Sequence, residues 1–308
     1  MTTGFAVLLL LLAILWGSAF PMIKIGLSGF SVLHLTLARH LVASLLLGGF
    51  LMVAGMRLRP DAKDIPFFFL LGLLGFTIYH LALNFGELSL SAGGTSLIIA
   101  TAPAITAVIA FFELDERLAL LGWIGIAVSF VGVALIVLGD GEGLTLNPYA
   151  LFVLLSALVT SLYFVLQRRV LGRYRPVEMT AFATWAGTVP MLLFVPGFVE
   201  GIQRAGTGPL LATVYIGAFP SAIAYSMLAV AISRAPINLI ASFLYTVPIF
   251  SLLFSWLFLG EIPSWLTLVG GTVAILGIVI VNRSRRGVRK GSRIPVGASR
   301  AARRSGHR

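Results

Sequence analysis

A charge inside an apolar stretch long enough to cross a membrane is costly, so the ionisable residues within such stretches are the first candidates for function. His80, Asn84 and Glu87 are spaced by four and three, which places them on one helical face. Such a face can bind polar cargo or pass a proton; the alternative is that Glu87 lies in the outer interface and is simply solvated. Arg39 stands in another apolar run, with His40 beside it. Its guanidinium can attract a carboxylate, reach outward along its own stem, or bond carbonyls of a neighbouring helix. His40 points about 100° away and reads as a buried, hydrogen-bonded histidine. Trp16, Tyr79, Tyr163, Trp185, Tyr225 and Tyr245 add ring faces, suited to a cavity wall or to an interfacial belt. These residues are the candidate cargo contacts. They do not make an enzyme. The chain has no cysteine, its histidines (His34, His40, His80, His307) lack ligand spacing, and no glycine-rich phosphate loop is present, so catalytic residues, metal and cofactor are expected to be none.

These side chains need elements to carry them, and composition says which kind. Of 308 residues 58% are hydrophobic and 11% charged, with a mean hydropathy of +1.02; a soluble domain has about 25% charged residues. Much of the surface must therefore face lipid. Ten apolar runs have the length that crosses a bilayer core: Phe5–Ile25, His34–Gly55, Pro66–Phe85, Ser89–Phe112, Ala119–Leu138, Pro148–Gln167, Pro176–Val195, Pro209–Ile232, Pro236–Leu259 and Pro263–Val281. The first lacks a preceding Lys or Arg, as a signal peptide would need, and is retained as a helix. The net charge of +11 is not a nucleic-acid signal, because residues 283–308 hold ten Lys/Arg and no acid while the remainder balances. That basic tail is expected to be disordered and to lie against anionic lipid. Lys and Arg fall overwhelmingly on one side of a ten-helix arrangement, which puts both termini in the cytoplasm.

Two stretches are copies. A shift of 145 positions lays Thr101 on Thr246, Pro103 on Pro248, Glu116 on Glu261, Gly125 on Gly270 and Gly132 on Gly277. The expected fold class is an all-α integral membrane protein, with ten transmembrane helices as two five-helix repeats: 1–138, a linker 139–147, and 148–282. Five is odd, so the second copy enters from the opposite side and the repeat is inverted, an arrangement characteristic of transporters. Pro103 and Pro248 are expected to kink helices four and nine, as packing kinks or beside a midplane site. Glu116 and Glu261 are expected to cap the helices they precede, with proton coupling as the alternative. Gly125, Ser129 and Gly132, and likewise Gly270, Ala274 and Gly277, form small-residue faces for close helix contact, either with each other or in a homodimer. The stripe at His80, Asn84 and Glu87 is not repeated; its counterparts are Tyr225, Ala229 and Ile232.

With Ala13–Lys24 (AILWGSAFPMIK), Arg39, Leu90–Phe112 (LSAGGTSLIIATAPAITAVIAFF), Glu116-Arg117 and the second set from Ala235 to Gly277, the chain resembles the EamA family of the drug/metabolite transporter superfamily. The resemblance covers nearly everything but the tail. It implies a central cavity between the halves, alternating access, and small polar metabolites as cargo, often amino acids and often exported. The expected function is thus secondary transport in the cell (inner) membrane. Its partners would be a small-molecule substrate and membrane lipids, with protons as a candidate coupling ion and no nucleic acid. A non-transporting membrane scaffold or sensor and an integral membrane enzyme are the alternatives.

Overall fold

The computed structural model describes residues 3–113, 120–140, 147–235, 240 and 243–291. Among the described residues every regular element is a helix. Seven helices are long and apolar enough to cross a membrane, and three shorter apolar helices accompany them. In chain order, α1 is Thr3–Leu27, α2 Val32–Val53, α3 Ala62–Gly86, α4 Ala92–Ile99, α5 Ala102–Glu113 and α6 Leu120–Gly139. Then follow α7 Tyr149–Leu166, α8 Pro176–Met191, α9 Phe198–Arg204, α10 Thr207–Arg234, α11 Val247–Leu259 and α12 Trp265–Gly291. The last continues past Val281 into the basic stretch.

The single helix expected over Ser89–Phe112 is two. α4 ends at Ile99 and α5 begins at Ala102, with Pro103 in its first turn. Proline has no N–H to offer the carbonyl of Ile99 four residues back, and the Thr101 hydroxyl instead donates to the Ile98 carbonyl at 2.6 Å. The second half repeats the device at the same register. Tyr245 and Thr246 form a turn, Pro248 sits in the first turn of α11, and Thr246 Oγ1 donates to the Phe243 carbonyl at 2.6 Å. Each proline therefore starts a new helical segment rather than kinking a continuous one.

A second matched irregularity has no counterpart in the hydrophobic pattern. Within α3, Leu73–Ile78 is wound as a π-helix, and within α10, Gly217–Ala224 is as well. The wider winding shifts each carbonyl from its usual donor, and such bulges concentrate at functional sites.

The small-residue faces meet each other. An added Cβ on Gly125 would lie 2.6 Å from the Gly277 carbonyl oxygen, and one on Gly270 2.7 Å from that of Gly132. Ser129 Oγ donates to the Ala274 carbonyl at 3.1 Å, across the centre of the α6–α12 contact.

A second seam joins α11 to α1 and α4. Gly17 of α1 has room for no side chain beside Phe250, Ser251 Oγ donates to the Ala92 carbonyl at 3.3 Å, and Leu252 packs on Gly93. Glu261 completes this seam. The sequence reading gave it to its own following helix; instead its Oε2 accepts the Ala92 N–H at 3.0 Å, at the start of α4 in the other half. Asp140 accepts from the neighbouring Ser91 N–H at 2.6 Å and from its hydroxyl. The first turn of α4 carries unpaired N–H groups and a positive dipole end, and two carboxylates from different elements answer them. Glu116 lies outside the described residues.

Candidate functional site

Where the two helix breaks face one another, a cavity of about 70 Å³ opens between the halves. Residues 1–138 contribute Trp16, Phe20, Arg39, Tyr79, Ile99 and Pro103 to its wall. The second half contributes Thr160, Phe164, Tyr225, Leu244, Tyr245 and Pro248. Ile99 and Leu244 are the residues whose carbonyls lose a donor to the prolines four positions on, so each break turns a backbone acceptor loose beside the cavity.

The π-helical segments position the polar wall. Trp16 Nε1 donates to the Pro220 carbonyl at 3.2 Å, and Tyr225 Oη donates to that of Gly75 at 3.1 Å. Both acceptors belong to π-wound stretches, so the irregular winding supplies anchors for two aromatic side chains of the wall. The Trp16 and Tyr225 rings then meet edge to face, 5.5 Å between centroids. Arg39 is held the same way. Its Nε donates to Ser221 Oγ at 2.6 Å, and Ser221 in turn donates to the Ile216 carbonyl five residues back, at 2.9 Å. Arg39 is only 3% exposed, and its Nη1 has no hydrogen-bond partner in the protein. A buried guanidinium with a free donor beside a cavity is suited to a carboxylate, which it can grip in a planar, charge-assisted pair.

His80, Asn84 and Glu87 do share a face, but it lies behind the cavity, against α2. All three are fully buried. The His80 ring stands 5.1 Å from that of His40, whose Nδ1 pairs with the Thr36 carbonyl at 2.6 Å. Asn84 Nδ2 donates to the Thr36 hydroxyl at 2.9 Å. Glu87 is therefore an interior residue and is not solvated at the interface. Both its carboxyl oxygens, both His80 ring nitrogens, His40 Nε2 and Asn84 Oδ1 lack partners in the protein. Each such group costs about 1–3 kcal/mol if left unpaired, so this face lowers stability unless a bound group or water answers it.

Of the remaining candidates, Tyr163 is fully buried among Phe68, Phe76, Met179 and Tyr225, and the next residue, Phe164, reaches the cavity in its place. Thr160 and Phe164 are four apart and share a helical face; that phase was the available signal. Trp185 donates from Nε1 to the Ser44 carbonyl at 3.1 Å and belongs to the α2–α8 contact. Ser221 carried no signal, because its importance depends on the π winding. Partial burial holds the Glu261 carboxyl above the usual range, while Lys24 and the Ala92 N–H pull it down.

The EamA-like transporter family matches the chain twice, over residues 4–138 and 147–283. The chain belongs to the EamA-like transporter family. The twofold match falls on the same division that the 145-residue shift defines, and this EamA chain is accordingly a transporter embedded in a membrane. It is 41% identical over 264 residues to "Uncharacterized transporter YdfC" of Bacillus subtilis, covering 86% of each chain. It is 37% identical over 287 residues to the "Probable terminal-alkyne amino-acid exporter" of Streptantibioticus cattleyicolor, covering 93% of this chain and 96% of that one. A solved crystal structure shares the fold, with a TM-score of 0.64 at 19% identity over 93% of this EamA chain and 99% of the other.

Proposed function

We propose that this EamA protein is a secondary transporter that moves small amino-acid-like solutes through the cavity by alternating access. In this reading ten helices form two inverted five-helix repeats in the cell membrane, with both termini cytoplasmic. The seven long and three shorter apolar helices and the distribution of Lys and Arg support that topology. The observation that carries the proposal is Arg39, buried at the cavity wall with Nη1 unpaired and ringed by Trp16, Phe20, Tyr79, Tyr225 and Tyr245. That combination fits a solute with a carboxylate at one end and a slim apolar body. A terminal-alkyne amino acid, the solute in the name of the 37% identical relative, has this shape. The seam of α11 on α1 and α4 closes one end of the cavity, and the inverted repeat supplies the matching closure at the other end in the opposite state. With no ion gradient imposed, direction follows the solute gradient.

The test is counterflow of a labelled terminal-alkyne amino acid, beside a panel of ordinary amino acids, in proteoliposomes holding the full chain. Wild type exchanges at least one of them. Arg39→Gln loses at least tenfold in apparent affinity, the scale of one charge-assisted hydrogen bond. A chain that exchanges nothing on the panel removes the amino-acid reading.

A further inference from the structure

The buried face adjoins the cavity at Arg39. Arg39 lines the cavity, and His40 follows it on α2. The His40 and His80 rings stand in edge-to-face contact. Asn84 lies one turn beyond His80 on α3 and is bonded to Thr36 of α2, and Glu87 ends the row at the last turn of α3. The unpaired polar atoms on these residues are Arg39 Nη1, His40 Nε2, both His80 nitrogens, Asn84 Oδ1 and both Glu87 oxygens. They include donors, Arg39 Nη1 and one His80 nitrogen, and acceptors such as Asn84 Oδ1, so a bridging water meets partners of both kinds. A carboxyl with both oxygens buried and unpaired is less costly as the neutral acid than as the anion. The charged and titratable groups facing Glu87 are Lys24 of α1, Arg39 of α2 and Glu261 after α11. α7 offers only Tyr149 and Val153 at the adjacent Gly86 and Ser156 at the Tyr79 carbonyl. Around His80 stand Arg39 and His40 and the rings of Tyr79 and Tyr225.

We propose that Glu87 binds the coupling proton of this transporter, that the Arg39–His40–His80–Asn84 row carries it to and from the cavity, and that proton and cargo cross together. In the transfer, an ordered water gives a proton to one nitrogen of His80 while the other nitrogen releases one toward Asn84 and Glu87. The Glu87 carboxylate becomes a carboxylic acid, and the water is restored from the cavity side, so charge is conserved at each step. The fixed positive charge of Arg39 opposes a proton entering the row. A cargo carboxylate on Arg39 cancels that opposition, so binding of the two is mutually favourable. The seam at Ala92, Ser251 and Glu261 closes the Glu87 end in this state, which leaves the cavity as its route. This inference rests on the cargo-binding role given to Arg39.

Two measurements separate it from that role. Difference infrared spectroscopy of the reconstituted full chain reads the carboxyl C=O stretch without any cargo. Wild type shows a protonated, buried carboxyl band at neutral pH, Glu87→Gln lacks it, and Glu87→Asp returns a shifted one. Proteoliposomes with an imposed pH gradient and a labelled terminal-alkyne amino acid then read coupling. Wild type accumulates the probe on the side toward which protons flow, several-fold above its level without a gradient. Glu87→Gln loses the gradient-driven accumulation, and Glu87→Asp restores part of it. Absence of the band, accumulation against the proton flow, or equal accumulation in Glu87→Gln overturns the proposal. A Glu87 band with a probe that does not move supports the proton site and removes the cargo reading instead.

Discussion

At the scale of single residues, two groups divide what looked like one polar inventory. Arg39, Tyr79 and Tyr225 face the cavity, and His80 and Asn84 face α2, with Glu87 buried just beyond them. Spacing alone gave the shared face of the second group, because helical phase is a local property. It did not show what that face packs against, since the partner Thr36 lies 48 positions away from Asn84. The one-residue difference between Tyr163 and Phe164 has the same origin. Both are aromatic and both sit in an apolar helix, and only the neighbouring helices decide which of them points inward. Ser221 makes the residue-scale argument testable. Its hydroxyl fixes Arg39 Nε, so Ser221→Ala leaves Arg39 with one further unmet donor and a freer side chain. The expected outcome is a weaker apparent affinity for the carboxylate probe, by about tenfold for about 1.4 kcal/mol, together with a thermal midpoint in detergent lowered by the unmet donor. A Ser221→Ala protein with wild-type affinity would show that the hydroxyl does not position Arg39.

At the scale of elements, the paired irregularities were half visible. The helix breaks were announced by Pro103 and Pro248 in matching registers. The π-helical stretches were not, because a wider winding adds no characteristic residue type and leaves the apolar period nearly unchanged. Glu261 illustrates the limit in another way. A glutamate after an apolar run reads locally as a cap for the next helix, whereas its bond is to Ala92, 169 positions away. Its pH behaviour follows from the geometry. Burial, its largest influence, raises the carboxyl above the ordinary 4.5. A raised folded-state value means that the stabilising contribution is complete below pH 4.5 and is lost as the pH climbs through the raised value. The melting temperature should therefore fall across that window, and Glu261→Gln, which can still accept the Ala92 N–H, should flatten the fall. An unchanged pH profile in Glu261→Gln would dissociate the seam from this carboxyl. The α6–α12 contact is more rigid, because its neighbours are backbone atoms that cannot turn aside. Gly125→Val is expected to cost about 1–3 kcal/mol or more by overpacking, read as a lower thermal midpoint, while Gly49→Val, where an added Cβ meets nothing within 4 Å, serves as the control.

At the scale of the whole molecule, the duplication was the clearest signal in the sequence, and the twofold family match falls on the same division. What it left open was which surfaces the halves present to each other. Two of the contacts between them differ in kind: the α6–α12 contact, made backbone to backbone, and the seam of α11 on α1 and α4, where Ser251 and Glu261 bond Ala92. Alternating access requires the second to open. The chain has no cysteine, so a cysteine pair at Gly93 and Leu252, positions already in contact, can be introduced without background. Oxidation is expected to stop counterflow and reduction to restore it. Undiminished exchange in the oxidised, fully cross-linked protein would mean that the seam stays shut throughout transport.

The α6–α12 contact also bears on how such a chain came to be one polypeptide. Gly125 answers Gly277 and Gly132 answers Gly270, while Ser129 bonds Ala274, its own counterpart under the 145-position shift. Each half thus offers the other nearly the same surface that it receives, as the two members of a symmetric homodimer do. The covalent link between the halves then serves to fix their number, and the recognition itself is written in the glycines. Residues 1–140 and 147–308, produced as two separate chains in one cell, should find each other through this face and recover exchange activity.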